Sequence, residues 1–201
     1  MRDHVIEIEN IDKETGLKYY VVFNSMGNRC GYVEIPYYVY ANISAKHNMN
    51  MHKLFANVTT DNVSNTASII SLSRRMKENK TNRHLKVKYN AVSDIDKLSV
   101  HGGVTFSDKL NIIGRDTYAI GFDCGHYCDK RDVEAFKKYF KEVCSTSIYK
   151  IIVNTNTHGE VRTQEYVEEQ CKLLAKQLKA TEHYLITKER ERIRKNWAKK
   201  A

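Results

Sequence analysis

Two short stretches that combine a β-prone apolar run with glycine and histidine constrain the fold of this chain most strongly. Their sequences are Val100-His101-Gly102-Gly103-Val104-Thr105-Phe106 and Ile120-Gly121-Phe122-Asp123-Cys124-Gly125-His126-Tyr127-Cys128-Asp129. Pairing them as an antiparallel hairpin, across the polar stretch that separates them, places Phe106 near Thr117. His101 then returns to the neighbourhood of Asp123 and Cys124. The pairing therefore predicts a functional site at this end of the hairpin.

The predicted hairpin gathers reactive side chains of three chemical types. Six of them share one small region: His101, Asp123, Cys124, His126, Cys128 and Asp129. Successive side chains of a strand point to opposite faces, so Cys124, His126 and Cys128 share a face only if the strand continues past Gly125. These residues indicate a site more clearly than a reaction, and they leave open whether the protein is an enzyme.

One interpretation of the site is nucleophilic catalysis by Cys124. A cysteine nucleophile needs a base within hydrogen-bond reach and an acid that orients the base. His101 is a better base than His126, because it arrives from the neighbouring strand, and Asp123 is the candidate acid. The amides of the two glycines that follow His101 could stabilise an oxyanion. This interpretation predicts a small hydrolase or a nucleotide-processing enzyme.

A second interpretation is a tetrahedral zinc site with the ligands Cys124, His126, Cys128 and His101. The Cys-x-His-x-Cys spacing is tighter than the two-residue gap that is usual between structural zinc ligands. This spacing argues against a zinc site. Neither a metal nor another cofactor is expected.

Two further interpretations involve no reaction. His101, Asp123, His126 and Asp129 could bind a nucleotide or phosphate without turnover. Alternatively, the two acids cap turns, Cys124 fills the core, and the histidines satisfy buried backbone groups. The residues by themselves do not decide between these alternatives.

Several segments have the pattern of β-strands. His4–Glu9 and Lys18–Asn24 alternate or carry β-prone residues, and the turn chemistry between them predicts an antiparallel hairpin. Cys30–Pro36 is a third predicted strand. Leu85–Tyr89 alternates between apolar and basic residues, as a half-exposed strand does. The compact apolar run Ile148–Val153 predicts an interior strand.

Other segments have helical periodicity. Thr66–Glu78 is one predicted helix, and Asp132 is the predicted N-cap of another that extends from Val133 to Val143. The last helix begins near Thr163 and continues to Trp197. Its first half has one apolar face, whereas its second half is much more charged.

These patterns predict an α+β fold, in which an antiparallel or mixed sheet is covered by two or three helices and followed by a long basic C-terminal helix. Residues 1–180 are expected to form a single domain with an insertion at about 41–97. Residues 181–201 are the predicted helical extension.

Lysine and arginine concentrate in two segments of a chain whose net charge is +9. Arg74 to Lys88 has seven basic residues and one acidic residue, and Lys179 to Lys200 has eight basic and three acidic residues. Such concentration indicates an acidic partner, most often nucleic acid, and aromatic residues suited to base stacking accompany it. An acidic protein surface is the alternative. The candidate binding residues are Arg74, Arg75, Lys77, Arg83, Lys86, Lys88, Lys188, Arg190, Arg192, Arg194, Lys195 and Trp197.

Composition excludes some classes of protein. The chain has 201 residues, of which 41% are hydrophobic and 28% charged, so a globular protein is expected. Its apolar runs are too short for a membrane span, and no apolar signal segment follows Met1. Five cysteines without secretory features favour free thiols, with Cys144 and Cys171 on the apolar faces of helices. A cytoplasmic protein without a membrane partner is expected.

Three motifs and a weaker pattern near the last helix carry a family resemblance: Cys30-Gly31-Tyr32-Val33, His101-Gly102-Gly103-Val104-Thr105, Gly121-Phe122-Asp123-Cys124-Gly125-His126 with Asp129, and Thr163, Tyr166, Val167, Glu169 and Leu178. In these residues the chain resembles a family of small proteins encoded by bacteriophages and related mobile elements. The segment between the first two motifs and the tail beyond Ala180 lie outside the pattern, and Cys128 stands where a small residue is expected. The resemblance implies a phage origin and a site, but no reaction.

Together, the resemblance and the charge distribution favour one functional hypothesis. It describes a phage-encoded accessory protein, with anti-defence as one role, that acts in the host cytoplasm. Its basic segments would bind a host nucleoprotein or nucleic acid and inhibit or modulate that target without chemistry. The alternative is the small enzyme with its site at the His101 and Cys124 hairpin. The type of nucleic acid, the host target and the oligomeric state are left open.

Overall fold

The protein has an α+β architecture built on an antiparallel sheet. The computed structural model describes residues 4–43, 95–143, 147–154 and 158–199. Within these residues, five strands form the main sheet in the order β1-β2-β3-β5-β4, and every neighbouring pair is antiparallel. The strands are β1 (His4–Ile11), β2 (Lys18–Asn24), β3 (Arg29–Glu34), β4 (Phe106–Lys109) and β5 (Tyr118–Asp123). The predicted fold class is confirmed.

The first three strands agree with the sequence patterns. β1 and β2 form the predicted hairpin, in which His4 pairs with Asn24 and Ile11 with Lys18. Between them, the Asp12 carboxylate accepts hydrogen bonds from the backbone amide and hydroxyl of Thr15 at 3.0 and 2.7 Å. This is the side-chain turn chemistry that aspartate and threonine favour.

In the described parts of the chain, three α-helices pack around the sheet, and residues 37–43 are also helical. The helices are α1 (Val133–Tyr139), α2 (Ser147–Asn154) and α3 (Gln164–Ala198). Asp132 caps α1 as predicted, because its carboxylate accepts the amide of Ala135 at 2.9 Å. Thr163 caps α3 in the same way through the amide of Tyr166.

Helix α3 crosses β2 and β3 and closes the main core. Its buried residues Val167, Cys171, Leu174 and Leu178 pack with side chains of one sheet face, including Val21. A separate aromatic cluster joins the end of β2 to α1 and α2; its buried members are Phe23, Phe136, Phe140 and Ile152. None of the described helices is long and apolar enough to cross a membrane.

Two predictions about the segment after the central hairpin are wrong. Ser147–Asn154 is a helix, not an interior strand, and only part of it is buried: Ile152 is 1% exposed and Val153 is 37% exposed. A short apolar run fits either structure by its pattern, and packing against the α1 aromatics favours the helix here. The predicted helix to Val143 ends at Tyr139 and is followed by a 3-10 turn at Lys141–Val143.

The register of the central hairpin also differs from the prediction. Phe106 pairs with Gly121, not with a residue near Thr117, and β4 continues to Lys109. The loop is shorter than expected because Leu110 is buried and its amide donates to the carbonyl of Thr117 at 2.8 Å. Strand β4 lies at the sheet edge, where polar residues are tolerated on the exposed side. With this register, His101 lies next to His126 and Asp129 instead of Asp123.

A small parallel ladder connects the end of the hairpin to the start of α3. It joins β6 (Asp129–Lys130) to β7 (Glu160–Val161), with Asp129 paired to Glu160. The ladder holds the segment before α3 beside the segment that follows β5.

Some sequence predictions lie outside the described residues. They are the helix Thr66–Glu78, the strand Leu85–Tyr89, Cys144, most of the insertion, and the basic residues Arg74, Arg75, Lys77, Arg83, Lys86 and Lys88.

Candidate functional site

The carboxylate of Asp129 is the centre of a buried polar cluster. Its side chain is 1% exposed. His101 Nε2 lies 2.8 Å from Asp129 Oδ2, and His126 Nδ1 lies 3.3 Å from the same oxygen. The backbone amide of His126 also donates to this oxygen, at 3.1 Å. Arg162 Nε donates to the other oxygen, Oδ1, at 2.8 Å. Four groups therefore hold one carboxylate.

His101 is held on both of its ring nitrogens. Opposite Asp129, His101 Nδ1 lies 3.0 Å from the hydroxyl of Tyr166, on the first turn of α3. The backbone amide of His101 donates to Gln170 Oε1 at 3.1 Å. Only 12% of the His101 side chain is exposed. The imidazole is thus fixed between the loop after β5 and helix α3.

His126 is the more open histidine, with 35% of its side chain exposed. Its ring lies over Gly102, which has a φ of 65°, and a Cβ built on Gly102 would overlap the ring. A glycine is required at this position both by the positive φ and by the ring. The His-Gly-Gly motif therefore serves to bring the two histidines together, with their ring centroids 5.5 Å apart.

A second buried hydrogen-bond network, centred on Arg29, connects to the Asp129 cluster through Arg162. Arg29, on β3, donates to both oxygens of Glu7, at 2.6 and 3.0 Å, and to Asp132 at 2.8 Å. It also donates to the backbone carbonyl of Arg162 at 3.0 Å. Burial alone would lower the pKa of Arg29, but its hydrogen bonds with Glu7 and Asp132 raise it. Arg29 therefore stays charged and ties the main sheet to the loop that carries Arg162.

The surroundings of Asp129 favour its ionised form. Burial by itself would raise the pKa of this carboxyl, but hydrogen bonds from Arg162, His101 and the His126 amide outweigh burial and lower the pKa. Arg162 also lies over the ring of Tyr166, 5.1 Å from its centroid. The cluster consequently combines one anionic carboxylate, one guanidinium and two imidazoles.

The predicted partners Asp123 and Cys124 lie apart from this cluster's hydrogen bonds. Cys124 is 2% exposed and belongs to the main hydrophobic core. Burial, followed by the charge of Asp129, raises the pKa of its thiol. The Asp123 carboxylate accepts the amide of Gly125 at 2.9 Å and so caps the turn after β5. A buried thiol with a raised pKa does not supply the thiolate that a nucleophile needs.

The sulfur atoms also do not join the histidines as potential ligands. Within the described part of the chain, the ligand atoms that lie within 4.8 Å of one another belong to His101, His126 and Asp129. Cys128 is exposed, and Cys124 belongs to the core. The predicted zinc site with Cys124 and Cys128 is therefore not formed. The potential ligands that do meet are His101, His126 and Asp129.

The second half of α3 forms a separate, exposed candidate site. Every described residue from Thr187 to Lys199 is exposed. The spacings of four and three residues place Arg190, Arg194 and Trp197 on one side of the helix. Trp197 is 74% exposed and Ile193 is 45% exposed.

Basic residues also occupy another side of this half of α3. Lys188, Arg192 and Lys195 share that side by the same spacing rule. Arg192 pairs with Glu189, with Arg192 Nη2 2.7 Å from Glu189 Oε1. Across the residues that the structure covers, no ion pair forms at Arg190, Arg194 or Lys195.

Two members of the His101 cluster were not among the predicted site residues. Tyr166 belongs to the weaker pattern near the last helix, and Arg162 belongs to no motif. Tyr166 lies 65 residues beyond His101, so no local spacing connects them. The predicted helix start near Thr163 was the available signal for both residues, because helix N-termini are frequent binding sites.

Comparisons of this chain with protein-family models, curated proteins and solved structures give no match.

Proposed function

We propose that the protein binds nucleic acid, free or within a host nucleoprotein complex, through residues 187–199 of α3 and the basic segment 74–88. In this proposal it is a phage-encoded accessory factor, active in the host cytoplasm against a defence complex. It inhibits or modulates its target by occupying it, without a chemical step. The phage origin follows from the motif resemblance.

The observation that carries the proposal is the complete exposure of α3 from Thr187 onwards. This segment is about 20 Å long at 1.5 Å per residue. A helical segment stabilised only by local interactions is marginally stable, and the exposed side chains of Trp197 and Ile193 keep apolar surface in water. A partner that covers Trp197 and Ile193 would remove both costs.

The chemistry of the exposed face favours nucleic acid over an acidic protein surface. Arginine binds phosphate oxygens through its planar, forked donors, and an exposed indole can stack on a base. Arg190, Arg194 and Trp197 supply both on one side of α3. The Glu189 and Arg192 ion pair lies on the other side, so it leaves these groups available.

The proposal is tested by the binding of labelled single- and double-stranded DNA and RNA at two salt concentrations. We expect that the Arg190→Glu/Arg194→Glu variant weakens binding and reduces the slope of log affinity against log salt by about 2, because two phosphate contacts are lost. Trp197→Ala should weaken single-strand binding without changing this slope.

The matched control is Lys138→Glu/Lys150→Glu, which makes the same change in net charge at exposed positions of α1 and α2. Its affinity should stay close to that of the wild type. Equal losses in both double variants would show that net charge alone attracts nucleic acid. Undiminished binding after truncation at Thr187 would refute the helix as a binding surface. Binding to an acidic protein but to no nucleic acid would refute nucleic acid as the partner.

A small hydrolase or nucleotide-processing enzyme is the second candidate function, favoured by the convergence of His101, His126 and Arg162 on Asp129. Its centre would be this cluster instead of Cys124. In a screen of phosphodiesters, nucleotides and esters, Cys124→Ala should retain any turnover, whereas His126→Ala should lose it. The reverse result would restore the cysteine mechanism.

A further inference from the structure

Three potential metal ligands meet at one point at the end of the sheet. His101 Nε2, His126 Nδ1 and Asp129 Oδ2 all lie within 4.8 Å of one another. They come from three different places in the fold: the loop before β4, the turn after β5 and the start of β6. The main sheet and its hairpin position all three.

The contacts at Asp129 Oδ2 are crowded for a hydrogen-bonded carboxylate oxygen. His101 Nε2, His126 Nδ1 and the His126 amide all lie within 3.3 Å of this single atom. When no ion is present, both ring nitrogens must carry their protons to make these bonds. A cation bound between the two nitrogens and the oxygen would use the same atoms as ligands instead.

The outer contacts are those expected around metal ligands. A ligating histidine commonly donates its other ring N–H to a fixed oxygen, and the ligating carboxylates are themselves hydrogen-bonded. Tyr166 provides that oxygen, 3.0 Å from His101 Nδ1. Arg162 provides the support for the carboxylate through Asp129 Oδ1.

We propose that His101, His126 and Asp129 bind one divalent transition-metal ion. Two imidazoles and one carboxylate suit zinc, iron and related first-row metals, whereas magnesium and calcium prefer oxygen ligands. Three protein ligands leave coordination positions open, as in catalytic and not in structural sites. His126 is the most exposed of the three residues, so solvent reaches the cluster at this histidine.

The site is independent of the nucleic-acid-binding proposal, because α3 carries the two at opposite ends. Tyr166 lies on its first turn, whereas the exposed basic residues begin at Lys188. Either proposal can fail without the other.

Titration calorimetry with Zn²⁺ tests the site on the full chain, freed of any affinity tag and stripped with a chelator. We expect one high-affinity ion per chain and no comparable binding of Mg²⁺. His126→Ala should abolish this binding, and its partial exposure makes the substitution tolerable for the fold. Tyr166→Phe should weaken the affinity by about 10- to 100-fold, as the loss of an outer hydrogen bond does.

His183→Ala is the matched control, because His183 is an exposed histidine on α3 away from the cluster. It should bind Zn²⁺ like the wild type. Zn²⁺ binding that is the same in wild type and His126→Ala would overturn the site, as would the absence of saturable binding.

Histidine side-chain NMR of the wild-type protein gives a test that requires no substitution. Zn²⁺ should shift the ring resonances of His101 and His126 at one equivalent and leave those of His158 and His183 unchanged. Shifts confined to other histidines would refute the assignment.

Discussion

At the scale of single residues, the best-defined interaction is the one that Arg29 makes from the interior of the sheet. Its side chain is 7% exposed and that of Glu7 is 1% exposed. Two parallel hydrogen bonds join them, and a third and fourth reach Asp132 and the carbonyl of Arg162. Removing one partner of such a buried ion pair strongly destabilises the fold, because the other charge is left buried without a counter-ion.

Arg29→Ala should therefore reduce the free energy of unfolding by about 3–5 kcal/mol, because Glu7 is left buried without its counter-ion. Arg29→Lys should recover only part of the loss, since an ammonium cannot make the forked contact. Chemical denaturation measures both. The control is Arg115→Ala, which breaks the solvent-screened pair with Glu9 and should have a much smaller effect. Similar losses at Arg29 and Arg115 would contradict this interpretation.

At the scale of elements, the contact between α3 and the sheet determines both the core and the site. Gly31, on β3, allows this contact, because a Cβ there would overlap the ring of Phe122 and approach Cys171 Sγ to 2.7 Å. At the edge of the same interface, the hydroxyl of Tyr19 donates to Glu168 Oε1 at 2.6 Å. Lys172 pairs with the same carboxylate one turn later.

The ionisation of Glu168 should make this interface sensitive to acid. Hydrogen bonds from Lys172 and Tyr19 lower the pKa of Glu168 below its ordinary value of 4.5 in the folded state. Its contribution is therefore complete above about pH 4.5 and is lost as the pH falls through the lower folded pKa. Burial raises the pKa of Tyr19, so the tyrosine remains a neutral donor throughout.

Glu168→Gln should accordingly cost about 1 kcal/mol of unfolding free energy at pH 7 and less at an acidic pH below 4.5. Denaturant unfolding at the two pH values measures the difference between variant and wild type. Glu169→Gln is the control, because Glu169 lies exposed on the same helix and forms no hydrogen bond with Tyr19 or Lys172 in the structure. A pH-independent cost at Glu168 would mean that packing and not charge is responsible.

At the scale of the whole molecule, the first part of α3 packs against the core and its second part is exposed to solvent. The residues of α3 up to Thr181 include the buried face that closes the core, and Leu185 packs against that core. From Thr187 to Lys199 every residue is exposed. The first part is stabilised by tertiary packing, and the second has only local helical interactions.

Truncation after Thr187 should therefore change the free energy of unfolding by less than about 0.5 kcal/mol. In hydrogen exchange, the backbone amides of residues 188–199 should exchange far faster than those of 171–181. Strong destabilisation by the truncation, or equal protection of the two segments, would show that the second half packs against the rest of the protein.

The sequence alone determined the features that depend on neighbouring residues. The hairpin of β1 and β2, the strand that contains Cys30, the cap at Asp132, the start of the last helix near Thr163 and the apolar face of that helix all follow from turn chemistry, capping and periodicity. Each needs information from a few positions only. A site between the two histidine motifs was predicted for the same reason, because each motif combines a β-prone run with glycine and histidine.

The tertiary structure decided which of these side chains meet. A four-residue shift in the hairpin register brings His101 to His126 and Asp129 and leaves Cys124 in the core. The shift depends on the burial of Leu110, and the cluster is completed by Arg162 and Tyr166 from the start of α3. Ser147–Asn154 became a helix by packing against the aromatics of α1. Such contacts join residues distant in the chain, and local patterns contain no information about them.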